Sequence, residues 1–217
     1  MPEDPDNLVK RQLQDWLETI DAEAVSVAGS LCDEHAEDPE TVALLYEDAL
    51  GNSARYTFAQ LRDLSSRSAG AFKALGVTKG DRVATLLPKS PELLVATLGL
   101  WRLGAAHVPL FTAFGPQAIA SRVENSQACV LVTDAANRHK VSSANAGPGF
   151  PQVVTVTDDS GGTQDGDVAY LDALAQADPV MDPVLTCGDD LFILIYTSGT
   201  TGTVSYTHLT LPTICSV

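Results

Sequence analysis

Leu191-Phe192-Ile193-Leu194-Ile195 runs without a break into Tyr196-Thr197-Ser198-Gly199-Thr200-Thr201-Gly202, and this change from apolar to hydroxyl-rich sequence decides how the chain is read. Five consecutive apolar residues bounded by turn formers predict a fully buried strand. Gly199 and Gly202 permit tight backbone turns, and Thr197, Ser198, Thr200 and Thr201 bring four hydroxyls. Backbone N–H groups in such a loop can converge on an anion. A loop at the carboxyl end of a strand in an α/β sheet is also where such folds bind ligands. The passage therefore predicts a phosphate cradle. It is not a Walker A loop, because Val204 stands five residues after Gly199 and no lysine lies beyond it. On composition alone an ordinary polar turn is the better reading, since Ser/Thr/Gly turns are common.

Upstream, the chain alternates between strand and helix signals. Thr41–Tyr46 reads as a buried strand and Ala54–Thr57 as its hairpin partner. Thr57-Phe58-Ala59-Gln60 has the form of a capping box. The helix it opens carries Phe58, Leu61, Ser65, Ser68, Phe72 and Leu75 on one face and stops at Gly76. Lys79-Gly80-Asp81 turns into the strand Arg82–Leu87, and Ser90-Pro91 caps a helix over Leu93–Leu103 that is apolar on nearly every face. Further strands are predicted at Ala105–Pro109, Cys129–Thr133 and Val153–Val156, and further helices at Gln117–Asn125 and Tyr170–Ala175. Ala135–Val141 reads as a short helical turn. Such alternation predicts an α/β fold with a largely parallel sheet flanked by helices. Residues 8–20 and 22–35 predict two N-terminal helices. The loops at 142–151 and 158–167 are rich in Gly, Ser and Asp; the second lacks calcium-loop spacing and is read as solvated.

Composition narrows the function classes. The 217 residues carry 13 Lys+Arg against 28 Asp+Glu, a net charge of −15. So acidic a surface repels nucleic acid and anionic lipid, and neither is expected as a partner. The acidic start Met1-Pro2-Glu3-Asp4-Pro5-Asp6 lacks the basic, then apolar, pattern of an export signal. Leu191–Val217 contains no charged residue, but seven Thr, three Ser, two Gly and a Pro interrupt it, so no membrane span is expected. Cys32, Cys129, Cys187 and Cys215 form no C-x-x-C pair and are expected reduced and mostly buried in a cytoplasmic protein. His107, in an apolar strand, is read as a packed core residue, and His35 and His139 as solvated. Trp16 and Trp101 are read as core residues, and the acidic cluster from Asp33 to Glu40 as a solvated helix end and turn.

Tyr196-Thr197-Ser198-Gly199-Thr200-Thr201-Gly202 resembles the phosphate loop of the adenylate-forming acyl-CoA synthetases, the AMP-binding superfamily. Thr57-Phe58-Ala59-Gln60-Leu61, Lys79-Gly80-Asp81-Arg82-Val83-Ala84, Gly104–Phe111 and Asp189-Asp190 are similar to further motifs of that family. Phe111–Pro116 and Thr133–Arg138 are most similar to acetyl- and short- or medium-chain acyl-CoA synthetases. The resemblance implies an AMP-forming ligase. A carboxylic acid attacks the α-phosphate of ATP, with Mg²⁺ bound, to give acyl-adenylate and pyrophosphate; CoA then displaces AMP. It also implies that Thr197, Ser198, Gly199, Thr200, Thr201 and Gly202 grip the β- and γ-phosphates. No catalytic or metal-ligating residue is assigned.

The resemblance stops at Gly202, where the family continues with a variable residue and Pro-Lys-Gly. Val204–Thr213 back-translates into a sequence resembling the transposon-end adapter of sequencing libraries. The expected organisation is thus an N-terminal helical extension at 1–35, a partial AMP-binding domain at 36–202 and a non-native tail at 203–217. The CoA site and most of the acid pocket are expected beyond the break, so the 217-residue chain is expected to be inactive and to fold poorly alone. The alternatives are a non-catalytic nucleotide-binding or interaction fragment, or an adenylation domain from another branch of the superfamily. Which carboxylic acid is used is not legible in the residues at hand.

Overall fold

The computed structural model describes residues 10–11, 24–141, 150–157 and 163–196. Its centre is a five-stranded sheet, every pair of which is parallel. In chain order the strands of the described residues are β1 (Val42–Glu47), β2 (Ser53–Thr57), β3 (Arg82–Leu86), β4 (Ala106–Pro109), β5 (Val130–Asp134), β6 (Gln152–Val156) and β7 (Val168–Ala169). Among the described residues, the helices seen from end to end are α1 (Val27–Leu31), α2 (Phe58–Ala74), α3 (Pro91–Arg102), α4 (Pro116–Ser126) and α5 (Tyr170–Gln176). The sheet order is β4-β3-β5-β6-β7, while β1 and β2 form a separate antiparallel hairpin.

Because successive strand residues face opposite sides, the sheet divides its apolar residues between two cores. Val83, Val130, Val132 and Val154 face α2, α3 and α5, with Leu61, Phe72, Val95, Leu98, Leu100 and Tyr170. Ala84, Leu86, Val108, Leu131 and Val153 face α4, through Ile119 and Val123. Burial on both faces explains why these strands read as unbroken apolar runs.

Local chemistry fixes the helix ends as the sequence predicts. Thr57 Oγ1 accepts from the Gln60 N–H at 3.2 Å, and Gln60 Oε1 accepts from the Thr57 N–H at 2.8 Å, closing the capping box of α2. The chain leaves α2 through Gly76 at φ +87°, a left-handed conformation that side chains with a Cβ avoid. Ser90 caps α3, with Pro91 in its first turn. Helices α2 and α3 approach closely where Gly99 meets Ser68; a Cβ on Gly99 would lie 2.5 Å from Ser68 Oγ.

Several expectations change. The second N-terminal helix, predicted at 22–35, is only α1 and a 3₁₀ turn at Asp33–His35. Before it, Val25 instead pairs with Thr186 in an antiparallel bridge, and a backbone committed to another segment is not available to a helix. The predicted helix at 8–20 lies almost wholly outside the described residues. The short strand β7 falls between the predicted loop at 158–167 and the helix predicted from Tyr170, where no element was expected; two residues carry no readable periodicity. Of the three described cysteines, Cys32 is buried whereas Cys129 and Cys187 are exposed.

Asp33 also departs from its solvated reading. Its carboxylate accepts from Arg102 Nη1 at 2.9 Å in a two-pronged contact, and Arg102 is fully buried. The same guanidinium donates to the Met181 carbonyl at 2.8 Å. A buried charge needs a partner, and Asp33 supplies it.

Candidate functional site

The loops leaving β3 and β4 go to opposite faces of the sheet, since α3 packs on one core and α4 on the other. Such a reversal opens a crevice at the carboxyl ends of the strands, the usual ligand position in open α/β sheets. The segment 191–195 lies beside β4 at this crevice. It pairs through one parallel bridge, Ile193 with His107. The His107 N–H donates to the Phe192 carbonyl at 2.9 Å, and the Leu194 N–H donates to the His107 carbonyl at 2.8 Å. Being parallel to β4, the segment delivers the chain at Tyr196 to the edge where β3, β4 and β5 end.

This segment is only half-buried up to Ile195, against the predicted fully buried strand. Its outer side has no strand neighbour among the described residues, so one face of its backbone and side chains lacks the cover that β3 has. What holds it comes from three places. Asp190 pairs with Lys79 Nζ at 2.6 Å and accepts from the Cys187 N–H at 2.8 Å. These bonds keep the Asp190 carboxyl below its ordinary range, with the Lys79 hydrogen bond the largest contribution. Trp101 Nε1 donates to the Phe192 carbonyl at 2.8 Å, and the two rings lie 5.7 Å apart. At the far end the buried Tyr196 donates its hydroxyl to Asn125 Oδ1 at 2.8 Å. The Arg122 guanidinium sits 4.2 Å from the Phe114 ring centroid and 5.5 Å from that of Tyr196.

His107 serves this junction through its backbone and β3 through its side chain. Its imidazole is buried, and Nε2 lies 2.8 Å from Thr85 Oγ1. Burial pushes its pKa down to about 4, so the ring is neutral at physiological pH. The core reading of His107 holds. On the neighbouring loop, Lys140 Nζ donates to the Thr112 carbonyl at 2.6 Å and to Asn137 Oδ1 at 2.8 Å. The segment after β4 is thereby tied to the turn after β5.

The predicted phosphate-binding residues Thr197, Ser198, Gly199, Thr200, Thr201 and Gly202 lie outside the described residues, as does the tail at 203–217. The structure reaches their threshold at Tyr196. Sequence reading missed Trp101, Arg122 and Asn125 as anchors of that threshold. A usable signal was present for Trp101, since an indole donor in an otherwise aliphatic helix needs an acceptor. Among the described residues no cluster of His, Cys, Asp and Glu could hold a metal ion, and no helix is long and apolar enough to cross a membrane.

A parallel five-stranded sheet with helices on both faces places the chain among open α/β domains. Comparison with known proteins specifies which. Residues 32–208 match the model of the AMP-binding enzyme family. An acetyl-coenzyme A synthetase of Streptomyces avermitilis is 34% identical over 193 residues, covering 82% of this chain and 30% of that protein. One from Bacillus subtilis is 35% identical over 200 residues, covering 87% of this chain and 34% of that protein. The crystal structure of a Brucella canis acyl-CoA synthetase superposes with a TM-score of 0.75 at 38% identity, over 81% of this chain and 32% of that one. The chain belongs to the AMP-binding enzyme family, and its similar proteins include acetyl-coenzyme A synthetases. It spans about a third of the length of these curated relatives.

Proposed function

We propose that this chain carries the phosphate-binding part of an AMP-forming acid–thiol ligase acting on a small carboxylic acid, ATP and CoA. The observation that carries the reading is the placement of Tyr196 at the crevice, with Thr197-Ser198-Gly199-Thr200-Thr201-Gly202 next in the chain. The donor set suits a triphosphate: four hydroxyls and backbone N–H groups offer hydrogen bonds to phosphate oxygens, and two glycines let the backbone come close. Mg²⁺ would supply charge neutralisation of the leaving pyrophosphate. The acid carboxylate attacks the α-phosphorus, the bond to the bridging oxygen breaks, and pyrophosphate leaves. The CoA thiol then attacks the acyl carbonyl, and AMP departs. Within this proposal residues 36–202 belong to the nucleotide-binding domain, 1–35 extend it, 203–217 are foreign to it, and the protein works in the cytoplasm.

Calorimetric titration of the 217-residue chain with Mg·ATP tests the phosphate assignment. Saturable binding is expected, and Gly199→Val should weaken it at least about tenfold by crowding the anion. Binding indifferent to that change would remove the loop from the site. Resequencing the locus past the Gly202 codon tests the domain division, with a Pro-Lys-Gly continuation expected; a native stop after Val217 would contradict it.

A further inference from the structure

We propose that Trp101 is a positioning residue for the loop at 197–202, acting through the Phe192 carbonyl; this rests on the phosphate-loop reading above. The segment 191–195 pairs with β4 through the single bridge at Ile193, so its backbone receives little of the support that neighbouring strands share. The Phe192 carbonyl is the exception. It accepts from the His107 N–H at 2.9 Å and from Trp101 Nε1 at 2.8 Å, which uses both of its lone pairs. The Trp101 and Phe192 rings add a tilted contact at 5.7 Å and 58°.

Trp101 itself cannot drift, because it sits in the last turn of α3. Next to it, Arg102 is fully buried and bound to Asp33 and the Met181 carbonyl. The indole therefore transfers the rigidity of α3 to a segment that the sheet alone holds weakly. With Phe192 fixed at one end and Tyr196 fixed on Asn125 at the other, the segment that leads into the loop is held at both of its ends. A loop that binds through several backbone N–H groups depends on such a fixed root, since small displacements misalign every donor together.

The test compares the 217-residue chain with Trp101→Phe, which keeps a ring against Phe192 and removes the indole donor. Hydrogen exchange is read over Phe192–Tyr196 and over β3, and Mg·ATP affinity is measured by calorimetry. The expected result is exchange faster by roughly fivefold over Phe192–Tyr196, unchanged exchange over β3, and an affinity weakened by about three- to tenfold. Unchanged exchange over Phe192–Tyr196 overturns the proposal, and so does loosened exchange with unaltered affinity.

If the substitution loosens β3 as well, the unsubstituted chain decides. Its Trp101 indole N–H should exchange more slowly than free indole and slow further with Mg·ATP. Exchange at the free-indole rate, or indifference of a protected indole to bound Mg·ATP, overturns the proposal. An unsubstituted chain that binds no Mg·ATP counts against the phosphate-loop reading instead, with the exchange of Phe192–Tyr196 in Trp101→Phe still deciding whether the indole holds the segment.

Discussion

β3 and the segment 191–195 are both five-residue runs that end at the same edge of the sheet, yet they are embedded differently. β3 has β4 on one side and β5 on the other, and Val83, Ala84 and Leu86 are wholly buried between two cores. Among the described residues the segment 191–195 has one strand neighbour, one bridge to it and half-buried side chains. An apolar run shows that a segment can pair in a sheet; it does not show how many strands flank it, and at 191–195 the predicted strand is reduced to one bridge. At the edge, the missing sheet hydrogen bonds are offset by side chains from elsewhere: Trp101, Lys79 and Asn125. The strand is held by its sheet and the segment, which forms a single bridge and no strand, by its surroundings.

Paired truncations break or sharpen this contrast. Leu86→Ala removes a fully buried side chain from the core under α4. It should cost about 2–5 kcal/mol and lower the melting temperature by roughly 10 °C in calorimetry. Leu194, half-buried against the same core, should cost only about 1 kcal/mol on the same change. Equal losses at the two positions would mean that the segment is as enclosed as β3.

His107 lies between the two strands, and its charge is the lever. The buried ring titrates near 4, whereas an unfolded histidine titrates near 6.5. Between those values the unfolded chain binds a proton that the folded chain refuses, so stability falls as pH drops from about 6.5 towards 4. The loss between pH 7 and pH 5 should be about 2 kcal/mol in urea unfolding. His107→Gln, which keeps a polar partner for Thr85, should remove that slope. Asp167 acts at lower pH: burial raises its pKa, but hydrogen bonds from Arg138, the Gln164 N–H and Thr155 outweigh this and bring it below the ordinary range. Its contribution is present above about 4 and is lost only as pH falls below that. A slope that survives in His107→Gln would place its source elsewhere.

The same contrast explains what could be read beforehand. β3, α2, α3 and β5 were legible because local chemistry and burial agree there: a capping box, a proline in the first turn, and strands covered on both faces. Residues 197–202, the expected phosphate loop, lie outside the described residues, while the pairing of the apolar run 191–195 beside a sheet strand was legible in part. The anchors were not, because each joins residues far apart in the chain: Trp101 to Phe192, Asn125 to Tyr196, Asp33 to Arg102. A sequence pattern shows that Trp101 needs an acceptor and that Arg102, in an apolar helix, needs a carboxylate. Only the fold selects which ones.

The smallest effect is expected at the end of the edge segment. Tyr196→Phe keeps the ring in the core under α4 and removes only the hydroxyl that donates to Asn125 and, at 3.3 Å, to the Arg122 carbonyl. Asn125 is exposed, so water can replace the lost partner, and global stability should change by no more than about 1 kcal/mol. The Arg122 guanidinium keeps the Phe114 face in either case. The consequence should be local: faster exchange at Leu194–Tyr196 with exchange over β3 unaltered. Because β3 is held by its sheet, it should not register the loss of a side-chain tether 2.8 Å long at the crevice. If β3 loosens together with Tyr196, the edge segment and the sheet interior form one cooperative unit, and the distinction between them is one of burial alone.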